Sequence, residues 1–289
     1  MTAEAELRVL VPGDEPRLFA FLSGFLESSL FFFSNIERAG LLDRGQQFEG
    51  TYLAHIDASG AITAVVGHSW NGNVLLQGDV GLEDAVLRVA EFSRRQIRGL
   101  IGPWSLVCRA RRALELDDVP AAHDGMDLLY DLSLDQLRVP ELLSRDDVTL
   151  RAPTAREASG VVSDWRADYH VEILGKQRTP ALAEQARREV EAWLASRFLW
   201  VLSVGGSPVA MTGFNAEARG VAQVGGVFTT PAARRLGYAR AAVAASLLQA
   251  RERGVGRSVL FTGETNQPAR RAYEALGFKA VGSFGLVLF

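Results

Sequence analysis

The chain has 289 residues, with 31 Lys and Arg against 34 Asp and Glu, a formal net charge of −3 and 48% hydrophobic residues. So high an apolar fraction with so little net charge excludes an intrinsically disordered chain. The slightly acidic balance lacks the basic footprint of a nucleic-acid binder, so no nucleic-acid partner is expected.

At about 100–200 residues per domain, the length corresponds to two domains or one large one. No apolar run approaches the roughly 20 residues that span a bilayer, so no membrane association is expected. The opening MTAEAELRVL is acidic and polar, unlike a signal peptide. Cys108 stands alone, so no internal disulfide forms; a reducing cytoplasm is the expected compartment, with Cys108 a buried small hydrophobe. The histidines His55, His68, His123 and His170 match no metal-ligand spacing, and no metal is expected.

In chain order, residues 6–11 alternate as a short strand and 17–28 read as an apolar-rich helix. Strands at 51–56 and 61–67 join across Asp57-Ala58-Ser59-Gly60, and Asn71-Gly72 turns the chain into a strand at 74–77. A helix at 82–95, a strand at 99–102, a helix at 105–116 and a strand at 127–132 follow. The second half repeats this order. It has a strand at 148–151, helices at 154–174 and 180–196, and strands at 198–204, 208–214 and 221–228. A helix at 236–253, a strand at 258–262, a helix at 268–276 and a terminal strand at 284–289 complete it. The pattern predicts two copies of one α/β unit, with a boundary in 135–147, where Pro140 and mixed charges interrupt it.

The chemistry concentrates between Val221 and Phe278. An apolar strand runs through Thr229-Thr230-Pro231 into Arg234-Arg235-Leu236-Gly237-Tyr238-Ala239-Arg240 and then an Ala/Leu helix. The first N–H groups of a helix have no intrahelical partner and form a ready anion site. Gly237 permits close backbone approach, and Arg234, Arg235 and Arg240 add positive charge where a diphosphate would sit. Beyond the next strand, Asn266 suits a helix cap, Pro268 its first turn and Gly277 its end. Asn266, Ala269 and Tyr273 fall on one helical stripe, suited to a long thin ligand.

These paired motifs, R-x-x-G-x-A after a strand and N-x-x-A-x-x-x-Y-x-x-x-G-F on the next helix, resemble the GNAT superfamily of acetyl-CoA-dependent N-acyltransferases. The resemblance implies an α/β (α+β) protein of two GNAT-like units, each a mixed, largely antiparallel twisted sheet flanked by helices. Residues 1–138 would be a degenerate copy and residues 146–289 the catalytic one. The family's sheet splays between its central strand and the next, and the pantetheine arm of acetyl-CoA would lie there against the backbone of Val227, Phe228 and Thr229. The diphosphate would meet the amides from Arg235 through Leu236, Gly237, Tyr238 and Ala239 to Arg240, and Asn266 and Ala269 would line the pantetheine. Tyr273 matches the family's general acid, placed to protonate the departing thiolate.

Many relatives carry a glutamate on the central strand as a base, whereas here 221–228 offers only Gln223. Glu264 is the first candidate for that role, with Glu217 and His170 behind it. Tyr169, His170 and Glu172, in a helix dense in polar and aromatic groups, are candidates for lining the acceptor side. The expected reaction is transfer of an acetyl or acyl group from CoA to a small-molecule or amino-acid amine. The alternatives are a non-catalytic acyl-CoA-binding module, or a transferase using a longer acyl-CoA or an aminoacyl-tRNA. The first half lacks the phosphate signal: Asp79, Glu83 and Asp84 stand where the second half has arginines.

Overall fold

The computed structural model describes residues 5–289; residues 1–4, the start of the segment read above as unlike a signal peptide, lie outside the described residues. In chain order the elements begin with β1 (Glu6–Val9), α1 (Glu15–Leu22), α2 (Leu30–Ala39), β2 (Gly50–Ile56), β3 (Ile62–Ser69) and β4 (Asn73–Gly78). Then come α3 (Leu82–Ser93), β5 (Gly99–Pro103), α4 (Trp104–Ala113), β6 (His123–Ser133), β7 (Val148–Arg151) and α5 (Ala155–Glu157). The order ends with α6 (Ser163–Leu174), α7 (Pro180–Ala195), β8 (Leu199–Val204), β9 (Ser207–Ala218), β10 (Val221–Thr229), α8 (Tyr238–Glu252), β11 (Arg257–Gly263), α9 (Gln267–Leu276) and β12 (Lys279–Leu288).

Two segments differ from the sequence reading for identifiable reasons. The run Leu30-Phe31-Phe32-Phe33 opens a helix, α2, that consecutive apolar residues conceal because they carry no period. The helix expected over 154–174 is broken by a wider turn at Ala158–Val162, where Gly160 sits at φ −118°, ψ −108°, a conformation glycine tolerates. Cys108 is half-buried on α4 rather than fully enclosed.

The described residues divide into two compact units, one of residues 5–129 with 282–289, the other of residues 130–281. In the first, the strand order is β1-β2-β3-β4-β5. Every pair is antiparallel except β4–β5, and Phe284–Leu288 of β12 pair antiparallel with β5. Its core joins Leu53, Val66, Leu76, Leu82, Val86, Leu100 and Val107 with Val287 from the far end of the chain. Val287 is fully buried, so Val287→Ala is expected to lower stability by about 2 kcal/mol, read as an earlier midpoint in urea unfolding.

In the second unit the order is β7-β8-β9-β10-β11, with β6 beside β11. The pairs β7–β8, β8–β9 and β9–β10 are antiparallel and β10–β11 is parallel. One face packs on α8, whose Ala241 and Ala242 lie close against Val148, Leu202 and Ala210 because their side chains are small. The other face meets α6 and α7, with Trp165 and Val190 against Leu199, Val201, Met211 and Phe228. Among the described residues no helix is long and apolar enough to cross a membrane.

Candidate functional site

The parallel pair β10–β11 holds only three rungs, Val221 to Arg257, Ala222 to Ser258 and Gln223 to Val259. Beyond them the two strands diverge, although β10 runs on to Thr229 and β11 to Gly263. The backbone of Val224–Thr229 therefore has no partner strand on its β11 side. Its other edge carries a bulge: Gly225 faces Gly213 and Phe228 faces Met211, so Gly226 and Val227 together oppose Thr212. Gly226 takes φ +60°, and a Cβ there would stand 2.3 Å from the Trp193 ring, so only glycine fits. The Gly225-Gly226 doublet inside an apolar strand is the sequence signal for this bulge. Thr229, at the open end, has a buried hydroxyl with no hydrogen-bond partner.

The strand leads through a short 3-10 turn, Pro231–Ala233, to the start of α8. Gly237 is the N-cap at φ 83°, ψ 3°, and no side chain caps the helix. Arg235 also adopts a left-handed conformation, φ 66°. Left-handed residues beside a helix start turn successive N–H groups toward one point, the arrangement that binds anions. Arg235, Leu236 and Arg240 are exposed around this turn, while Tyr238 packs inward on the core near Val148. Arg234 is differently placed from its neighbours. Its guanidinium donates to Glu172 at 2.7 and 3.0 Å and to the Thr229 carbonyl at 3.1 Å.

On α9, Asn266 caps the helix, its side-chain oxygen accepting from Ala269 N at 3.3 Å. Tyr273 is half-buried, its ring edge-on to Phe278 at 6.0 Å between centroids. Burial pushes its phenol well above the ordinary value, and the neighbouring Tyr169 adds to the rise. Tyr273 and Tyr169, candidates for the acid and for the acceptor side, are thus within electrostatic reach of each other.

Helix α6 sorts its polar residues onto two faces. Trp165, Tyr169 and Glu172 recur at i, i+4 and i+7: Trp165 meets Phe228 at 6.3 Å, and Glu172 meets Arg234. Arg166 and His170 point instead toward α7. His170 is buried and bonds Glu189 through Nε2 at 2.8 Å, and Arg166 Nε bonds the same carboxylate at 2.6 Å. Burial opposes the charge on Glu189, but the His170 hydrogen bond and the Arg166 guanidinium outweigh it and hold the carboxyl down at about 2. His170 therefore belongs to the packing between helices rather than to the acceptor face. Arg166 also lies over the rings of Tyr169 and Trp193, at 4.9 and 4.6 Å, and so braces both.

The candidates for a base are dispersed. Glu264 is exposed in the turn between β11 and α9, where its backbone carbonyl accepts from Arg270. Glu217 is paired with Arg253 at 2.7 Å. Gln223 is buried on the last rung before the strands part, with its amide nitrogen unpartnered.

The first unit repeats the frame without the chemistry. Its parallel pair β4–β5 also has three rungs, Asn73 to Gly99, Val74 to Leu100 and Leu75 to Ile101. Gly81 caps α3 at φ 84°, ψ 9°, nearly the geometry of Gly237. Here, however, Arg109 of α4 occupies the turn, bonding Glu83 at 2.6 and 2.8 Å, the Asp79 carboxylate, and the Asp79 carbonyl at 3.0 Å. The His55 ring lies against Gly81, within 2.1 Å of where a Cβ would be. Pro103 caps α4 where Asn266 caps α9, and Ala110 takes the seventh position that Tyr273 holds in α9.

Residues 162–278 match the model of the acetyltransferase (GNAT) family. Comparison with curated proteins finds no match. Among solved structures, a Drosophila protein is similar with a TM-score of 0.70 at 15% identity, covering 98% of each chain. A GNAT-family acetyltransferase from Colwellia psychrerythraea reaches 0.52 at 11% identity over 98% of this chain and 99% of that one. A tandem GNAT protein from the clavulanic acid biosynthesis pathway reaches 0.53 at 12% identity over 98% of each. At such identities the likeness is one of fold. Residues 162–278 thus match the GNAT acetyltransferase family model, and the likeness to solved structures, which is one of fold, extends over 98% of the chain.

Proposed function

We propose that the second unit is an N-acyltransferase that moves an acetyl or other acyl group from acyl-CoA to the primary amine of a small molecule or amino acid, by direct aminolysis. The observation that carries this reading is a three-rung parallel pair opening onto an uncapped helix start with a left-handed Gly237, with Tyr273 on the helix that follows the second strand. Long, thin acyl-CoA fits those features. The open edge of Val227, Phe228 and Thr229 offers backbone groups to a pantetheine amide, and the unpartnered Thr229 hydroxyl is a further one. The amides from Arg235 to Arg240 suit a diphosphate. The amide nitrogen of Asn266, whose oxygen is engaged in the cap, and the small Ala269 would flank the pantetheine.

Acyl-CoA supplies an activated thioester carbonyl; the protein's part is orientation, polarisation and proton delivery. The Val227 N–H in the bulge would polarise the carbonyl. The Tyr273 phenol, kept protonated by burial, would donate to the departing sulfur. Tyr169 and Glu172 would face the amine. Glu264, exposed to water, would take up a proton from the acceptor only through solvent.

A second reading, a non-catalytic CoA-binding module, is favoured by one observation: Gln223 stands on β10 where a carboxylate would serve as base. Thiol release from acetyl-CoA across a panel of amines separates the two. Acceptor-dependent release supports the transferase, and binding without release supports the module. Titration calorimetry is expected to find one acetyl-CoA per chain, because Arg109, Asp79 and Glu83 close the corresponding turn of the first unit. Two sites per chain would refute that closure, and no binding at all would refute the reading.

A further inference from the structure

Arg234 and Glu172 are suited by charge to different ligands, an anion and a cation, yet they hold each other. Arg234 Nη2 donates to Glu172 Oε2 at 2.7 Å and Oε1 at 3.0 Å, joining the turn after β10 to the last turn of α6. The guanidinium is anchored from a second side by the Thr229 carbonyl and lies 5.5 Å from the Phe228 ring centre. Both side chains remain partly open to solvent, at 42% and 40% exposure, so a solute can reach the pair. Exposed ion pairs of this kind are weak and yield readily to a stronger partner. Arg234 stands three residues before Gly237, at the border of the anion-binding turn. Glu172 is three residues after Tyr169, on the same face of α6, which looks toward β10 rather than α7.

We infer that Arg234 and Glu172 form a latch between the donor and acceptor sides: a diphosphate arriving at the turn takes Arg234 from Glu172 and leaves a bare carboxylate beside Tyr169. This rests on the acyl-CoA reading above. The exchange is favourable because a diphosphate offers a guanidinium more charge and more acceptor oxygens than one carboxylate does. The released carboxylate attracts an ammonium group, so donor binding creates the charge complement of a cationic acceptor. Linkage requires the reverse as well: an ammonium on Glu172 frees Arg234 for the diphosphate. Without donor, Arg234 neutralises Glu172 and the acceptor face is less attractive to cations.

The test is a calorimetric titration of CoA and of pantetheine, which has no diphosphate, into the wild type, Glu172→Gln, Arg234→Gln and the double variant. Glu172→Gln releases Arg234, so CoA is expected to bind about two- to five-fold tighter, while pantetheine binds both proteins alike. Arg234→Gln weakens CoA, and adding Glu172→Gln to it changes nothing further, because no competition remains. Unchanged or weaker CoA binding by Glu172→Gln overturns the latch and leaves the CoA site standing. Equal tightening for pantetheine, or tightening in the Arg234→Gln background, does the same. A wild type that binds no CoA overturns the site itself.

Discussion

Tyr273→Phe is expected to lower amine-dependent turnover of acetyl-CoA by about two orders of magnitude or more, with CoA affinity within about twofold of wild type. The ring stays, so its contact with Phe278 and the packing of α9 are kept; only the donated proton is lost. The pH profile carries a further signature. Burial and the nearby Tyr169 raise the phenol above its ordinary value of 10.0, so the protonated form needed by a general acid persists as pH rises. The folded-state value being raised, no fall in rate from Tyr273 ionisation is expected up to about pH 10. A rate that falls through pH 8–9 in wild type but not in the phenylalanine variant would contradict this placement. A variant that turns over normally would remove Tyr273 as the acid.

Gly237→Asp is expected to weaken acetyl-CoA binding by about two to three orders of magnitude while the protein stays folded. Asp is a favoured N-cap residue and among the few that tolerate left-handed backbone, so the start of α8 survives the change. The open space above Gly237 also accommodates the side chain, since the nearest atom to an added Cβ is an Arg240 guanidinium nitrogen at 3.7 Å. What changes is the charge: a carboxylate then lies where the diphosphate should meet the helix amides. Calorimetry beside circular dichroism separates loss of the site from loss of the fold. Retained affinity would show that the turn does not grip the ligand.

The order of elements was largely legible because strands, turns and amphipathic helices leave local marks. Asn266, Pro268 and Gly277 punctuate α9 as their chemistry requires, and the structure adds only the bond from Asn266 to Ala269 N. α2 escaped notice because four successive apolar residues show no period, and the break at Gly160 because glycine inside a helical pattern signals several outcomes. Among the candidate residues, Gly237 stands at the start of α8 and Tyr273 on α9, where local spacing puts them. The partition of α6 is not set locally. Whether His170 faces a ligand or Glu189 depends on where α7 packs, and neighbouring positions on a helix diverge by about 100°.

Local chemistry by itself determined that α/β elements recur in both halves, that an arginine-flanked glycine begins α8, and that the first unit's turn is acidic. These follow from side-chain type and short-range spacing, which act within a few residues. Only the tertiary structure decided that β10 and β11 part after three rungs, that Trp193 fills the space over Gly226, and that Val287 completes the first unit's core. It alone decided that Arg109 closes one turn while Arg234 is tied to Glu172 beside the other. The reason is physical: strand divergence, steric fit and ion pairing between distant residues are set by how packed elements meet, and no run of sequence records that meeting.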